Sequence, residues 1–200
     1  ISFMNVMNIE YYIDTIYKKQ KGEPISDQES QEIFDKVISA LRIFKEGNTG
    51  YNILQSKYLS WEPIMGSWTT GGFFYKNFIG KKYELTLNEI KEFMGFWDSY
   101  NQIDLDKEKF LKVAVKRFNY AKEREKPEDR LIDFIISLEA LFLKEEEKQE
   151  LNYRLAIRMA TFLGKDKEDK NKIFSDIRYA YDTRSKIIHG SSKIEDKNLN

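Results

Sequence analysis

Arg184 stands where a leucine would be expected. On a helix over 169–189, at roughly 100° per residue, Ile173, Ile177, Ala180, Tyr181, Ile187 and Ile188 fall on one side, and Arg184 projects from the centre of that stripe. A guanidinium does not neutralise in proteins, so burying it unpaired costs on the order of several kcal/mol. It needs a carboxylate, or an anion arriving from outside. Glu139 is a carboxylate in a matching predicament, because it lies inside Ile135-Ile136-Ser137-Leu138-Glu139-Ala140-Leu141-Phe142. Asp133, in the same stretch, is a second candidate. A Glu139–Arg184 pair would satisfy both groups internally, which is the commoner use of such a pair.

His189 is the only histidine in the chain. It follows Arg184 by five positions, roughly 140° around a regular helix, so one helix does not aim both side chains at one point. Either the helix end at Gly190 unwinds to redirect the imidazole, or the helix of a second copy completes the site. Taken alone, a histidine in a last turn serves the free carbonyls and the negative end of the helix dipole.

Few other groups compete for a chemical role. The absence of cysteine removes disulfides, thiolate catalysis and Cys-ligated metals. A transition metal would need mostly oxygen ligands, yet no Asp-rich loop of suitable spacing occurs, and the acids of Glu145–Glu150 read as a solvated helix start. Gly71-Gly72 lies in an aromatic segment with no Gly-Lys-Ser/Thr after it, so a phosphate-binding glycine loop is not expected. The sequence therefore leads us to expect neither cofactor nor metal. Arg117, Arg130, Arg154 and Arg158 could line an RNA groove, though pairing with neighbouring acids is the commoner fate. Trp61, Trp68, Phe73, Phe74 and Tyr75 could stack on bases, but forming the core of a small unit is the commoner one.

The elements that must position Arg184 and His189 follow from composition and periodicity. Two hundred residues, 41% of them hydrophobic, suffice for one core or a core with a small satellite. A charged content of 33% is offset by 14% aromatics and repeated apolar stripes, which is inconsistent with a wholly disordered chain. The most apolar run, Leu131–Leu143, is broken by Asp133, Ser137 and Glu139 and falls short of a membrane span. Residues 1–100 carry 11 basic and 13 acidic side chains and residues 101–200 carry 22 and 20, so any nucleic-acid contact must be local. Without cysteines or a secretory signal the chain reads as cytoplasmic, and Ile1 in place of an initiator methionine reads as a piece of something longer.

Ser26-x-x-Glu29 resembles a capping box ahead of Ile33, Phe34, Val37, Ile38, Leu41 and Phe44, a helix that should end near Gly47. From Gly50 to Tyr83, short aromatic runs divided by glycines predict strands or irregular structure. Thr86-x-x-Glu89 is a second capping box, leading Ile90, Phe93, Met94, Trp97 and Tyr100. Asp106 is the expected cap for a helix carrying Phe110, Val113, Ala114, Phe118 and Ala121. Pro127, Glu128 and Asp129 suit the first turn of the next, predicted to be the most buried. A helix with Leu151, Leu155, Met159, Phe162 and Leu163 should stop at Gly164, and the last should run from about Asp169 to His189. The fold class expected is mainly α. Residues 1–84 read as a smaller mixed helix and strand region, a fragment of a larger upstream unit; 85–192 form a bundle, and 193–200 a polar tail.

Three blocks, Glu128–Phe142, Leu151–Gly164 and the ending Tyr181-Asp-Thr-Arg-Ser-Lys-Ile-Ile-His-Gly190, occur in the order seen in one known family. Across 85–192 the chain resembles the Apea-like branch of the HEPN superfamily. The resemblance implies an antiparallel helical bundle that forms a homodimer, with the Arg-x4-His motifs of two protomers facing each other across a cleft. It implies a metal-independent endoribonuclease or RNA-processing module leaving 2′,3′-cyclic phosphate ends, of the kind found in toxin and antiviral defence, where a partner protein can restrain activity. His189 would be the general acid or base, Arg184 would bind the scissile phosphate, and Glu139 would hold Arg184, with Asp133 and Ser185 as possible supporting residues. Ser185 occupies a position where many active members have Asn, Asp or His, and Ser191 one where a sub-branch has Tyr. The alternative expectation is a non-catalytic HEPN-like RNA-binding or dimerisation scaffold with Arg184 and Glu139 as an internal ion pair.

Overall fold

A computed structural model describes residues 27–50, 53–56, 70–73, 81–144, 146 and 149–190. Among these the chain forms six helices, α1 (Asp27–Phe44), α2 (Leu87–Asn101), α3 (Lys109–Glu123), α4 (Pro127–Phe142), α5 (Leu151–Leu163) and α6 (Lys167–Ile188). Two short strands, β1 (Ile53–Ser56) and β2 (Thr70–Phe73), pair antiparallel with Ile53 opposite Phe73 and Ser56 opposite Thr70. The architecture is mainly α, a helical bundle. Ser26, Trp61, Trp68, Phe74, Tyr75, the side chain of Phe73 and the tail from 191 onward lie outside the described residues.

The apolar spacing of α1 turns Ile38 and Leu41 into the core, and the helix ends at Phe44 just ahead of Gly47. A Cβ at Gly47 would stand 2.8 Å from the Tyr83 ring. That close approach lets the Tyr83 hydroxyl donate to the Leu41 carbonyl at 2.8 Å. The Thr86 capping box forms as expected: Thr86 Oγ1 accepts from the Glu89 amide and Glu89 accepts from the Thr86 amide. Phe44 of α1 meets Phe93 and Phe96 of α2 at centroid separations of 5.4 and 5.7 Å. Buried Tyr100 closes this corner, its hydroxyl 3.2 Å from Ser39 Oγ. Side chains on both sides of residue 84 thus interlock, and α1 also packs on α3.

Asp106 does not cap α3. Asp104 takes the amides of Asp106 and Lys107 at 3.1 and 3.4 Å, a local side-chain turn that competes with capping. Asp106 reaches forward to Lys112 instead, and the helix starts at Lys109 with no side-chain cap.

Pro127 occupies the first turn of α4 with Glu128 and Asp129, as its fixed φ and their charges favour. Three-residue links, 124–126 and 164–166, turn the chain back between α3 and α4 and between α5 and α6. Expected to be the most buried helix, α4 is instead the hub that meets α3, α5 and α6. More residues are fully buried on α5 (Leu155, Ala156, Met159, Ala160) than on α4 (Asp133, Ile135, Ser137), because its alanines admit neighbours closely. The far end of the α5 stripe stays outside, with Phe162 75% exposed and Leu163 exposed beside it.

α6 begins two residues earlier than its periodicity indicated, because Asp166 caps it by accepting from the Asp169 amide at 2.9 Å. None of its 22 residues is fully buried. It ends as Gly190 turns into the left-handed region at φ +68°. Among the described residues no helix is long and apolar enough to cross a membrane.

Candidate functional site

Packing of α6 on α4 brings Arg184 to Glu139. The nearest charged atoms, Arg184 Nη2 and Glu139 Oε2, are 3.8 Å apart, and the side chains are 22% and 21% exposed. That separation is an ion pair but exceeds hydrogen-bond length. Arg184 Nε is buried without any hydrogen-bond partner. The pair expected from sequence is therefore present as charge beside charge, and it does not satisfy the guanidinium.

Tyr181, three residues before Arg184 and so on the same helical face, supplies the rest of the site. Its ring lies 5.8 Å from the Arg184 guanidinium carbon, within cation–π range. Its hydroxyl donates to the Glu139 carboxylate. Burial first, then the charge of Glu139 and that hydrogen bond, push the phenol above its ordinary range, so it stays a neutral donor at physiological pH. Sequence reasoning placed Tyr181 in the apolar stripe and gave it no role; its i−3 spacing from Arg184 was the available signal. Asn152 was also missed. It starts α5 and donates from Nδ2 to Asp182 at 2.6 Å, while its Oδ1 is buried without a partner.

A second arginine shows what full satisfaction looks like in this protein. The Arg42 side chain is 4% exposed and bonds Glu123 Oε1, Asn119 Oδ1 and the Thr49 carbonyl, each at 3.0 Å. Arg42 locks α1 to α3, whereas Arg184 has unused donors at a half-covered surface.

Asp133 is not an alternative partner for Arg184. It is 3% exposed and accepts from Arg117 Nη1 at 2.8 Å and Arg124 Nε at 2.9 Å. Six positions separate it from Glu139, roughly 240° around α4, so Asp133 faces α3 while Glu139 faces α6. Arg117 is thereby used within the fold, and Arg158 likewise donates to the Phe142 carbonyl at 2.6 Å.

His189 caps the C-terminus of α6 with φ −85° and ψ 3°. Its amide donates to the Ser185 carbonyl at 3.1 Å, and its side chain is exposed. The Ser185 side chain is half-buried. Among the described residues no hydrogen bond or ion pair joins Arg184 to His189 within one chain, in keeping with their angular separation. Nor do the described residues bring three or more His, Cys, Asp or Glu side chains together as a metal site would. Chemically, the arrangement offers a fixed cation with free donors, a neutral phenol that engages its counter-ion, and a solvent-facing imidazole at the end of the same helix. No protein-family model, curated protein or solved structure matches the chain.

Proposed function

We propose that this protein is a HEPN-type, metal-independent endoribonuclease or RNA-processing module that acts as a homodimer. The observation that carries the proposal is the under-bonded guanidinium of Arg184, on the same helix as the only imidazole. The three sequence blocks in family order give that pair its chemical reading. A two-fold axis would bring the Arg184 and His189 of two protomers to one cleft, which resolves the angular separation within one helix. The incomplete burial of α6 leaves a face for the second copy.

In the reaction the ribose 2′-oxygen attacks the adjacent phosphorus. The O2′–P bond forms and the P–O5′ bond breaks, giving a 2′,3′-cyclic phosphate and a free 5′-hydroxyl. His189 of one protomer takes the 2′ proton, and the imidazole of the other returns a proton to the departing O5′. Arg184 donates to the phosphoryl oxygens as charge builds on them, and Glu139 orients Arg184. A place in toxin or antiviral defence, with a partner protein restraining cleavage, belongs to this reading.

Cleavage of single-stranded and structured RNA in EDTA by the wild type and His189→Ala, with end-group analysis, tests it. The expected result is cyclic-phosphate ends from the wild type and a loss of about 10²–10⁴-fold in the variant. Equal cleavage by both proteins removes the role of His189. A second reading, an RNA-binding or dimerisation scaffold, is favoured by the Arg184–Glu139 ion pair inside one chain. It predicts no cleavage by the wild type and weaker dimerisation when Arg184 is replaced.

A further inference from the structure

We infer that Tyr181 is the positioning residue of an oxyanion site at Arg184: its hydroxyl holds the Glu139 carboxylate off the guanidinium and keeps the Arg184 donors open to a phosphate oxygen. The inference takes only the identity of the anion, an RNA phosphate, from the ribonuclease reading.

An arginine and a carboxylate that meet freely close into a fork of two parallel hydrogen bonds about 2.7–2.9 Å long. Arg184 and Glu139 stop at 3.8 Å, and Arg184 Nε has no partner. The same protein closes such contacts elsewhere, since Arg42 reaches Glu123 at 3.0 Å and Arg124 reaches Asp133 at 2.9 Å. What distinguishes Glu139 is a competing donor, the hydroxyl of Tyr181. The Tyr181 ring also supports the guanidinium, 5.8 Å from its central carbon. One residue thereby fixes the cation and engages the anion that would otherwise occupy it. A phosphate oxygen arriving at Arg184 finds donors already desolvated and still unbonded, the condition under which a charge-assisted hydrogen bond contributes most.

The test is a double-mutant cycle on the full chain with inorganic phosphate as probe, followed through the Arg184 Nε–H resonance, alongside KM and kcat for RNA. Tyr181→Phe keeps the ring and removes the hydroxyl, so Glu139 closes onto Arg184. Phosphate affinity should fall about tenfold, as loss of one hydrogen bond to a charged group implies, and the loss on RNA should fall on KM more than on kcat. Glu139→Gln removes the competing charge and should tighten phosphate binding. In the Glu139→Gln background, Tyr181→Phe should then have no further effect.

A merely structural tyrosine would weaken binding equally in both backgrounds, and that result overturns the inference. So does an Arg184 Nε–H signal in the wild type that does not respond to phosphate, or a Tyr181→Phe protein that binds phosphate like the wild type. If the cycle holds while the wild type leaves RNA intact, Tyr181 keeps its role and the ribonuclease reading fails. Cleavage with a failed cycle has the opposite meaning.

Discussion

Arg42 and Arg184 are both arginines on apolar helical stripes, and their surroundings give them opposite duties. Arg42 is bonded through Nε and Nη1 to three partners and nearly sealed from water. Removing it strands buried acceptors, so Arg42→Ala should cost about 3 kcal/mol, the lower end of the range for breaking a buried pair, because Glu123 keeps some access to solvent. Arg184 makes one long ion pair and no hydrogen bond through Nε. Its removal should cost no more than about 1 kcal/mol while cleavage is lost. Urea unfolding of the two variants beside the wild type measures the contrast, and a large stability loss in Arg184→Ala would mark that residue as structural.

The capping box that starts α2 makes stability pH-dependent. Glu89 has its pKa lowered from 4.5 to about 2, first by the hydrogen bond from Lys45 and then by those from the Thr86 amide and hydroxyl. A carboxyl with a depressed folded pKa stabilises the fold above its unfolded value. As pH falls from about 4.5 to about 2, the unfolded chain takes up the proton first and that contribution is lost. Glu89→Gln should flatten the stability profile in that window and leave its shape above pH 5 unchanged, as thermal unfolding at successive pH values would show. The other helix boundaries follow equally local rules, with Pro127 opening α4, Gly164 closing α5 and Gly190 closing α6. The start of α3 is the exception, because the Asp104 turn takes amides that Asp106 alone could not claim.

For the whole molecule the decisive property is assembly. α6 has no fully buried residue over 22 positions, and Tyr179 and Ile188 on it are exposed. A second copy seated on this helix would cover them, so light scattering after gel filtration should give twice the chain mass. If the working site is shared, a mixture of Arg184→Ala and His189→Ala chains should recover part of the RNA cleavage that each lacks alone. No recovery, in a mixture shown to exchange subunits, would mean that each site is confined to one protomer. The balanced charge of the chain makes RNA affinity depend on such local donors rather than on a general positive field.

Periodicity and capping chemistry act over four or five residues, and so the sequence by itself determined a mainly α chain, most helix ends, and an arginine on an apolar stripe that would seek an acid. It left Asp133 and Glu139 both open as that acid. Only the packing of α4 between α3 and α6 turned Asp133 toward Arg117 and Arg124 and Glu139 toward Arg184. Only the tertiary structure, likewise, placed the Tyr181 hydroxyl on Glu139 and left Arg184 Nε without a partner. The physical reason is that propensity belongs to neighbours along the chain, whereas the partner of a charge is chosen by how helices rotate and seat against one another.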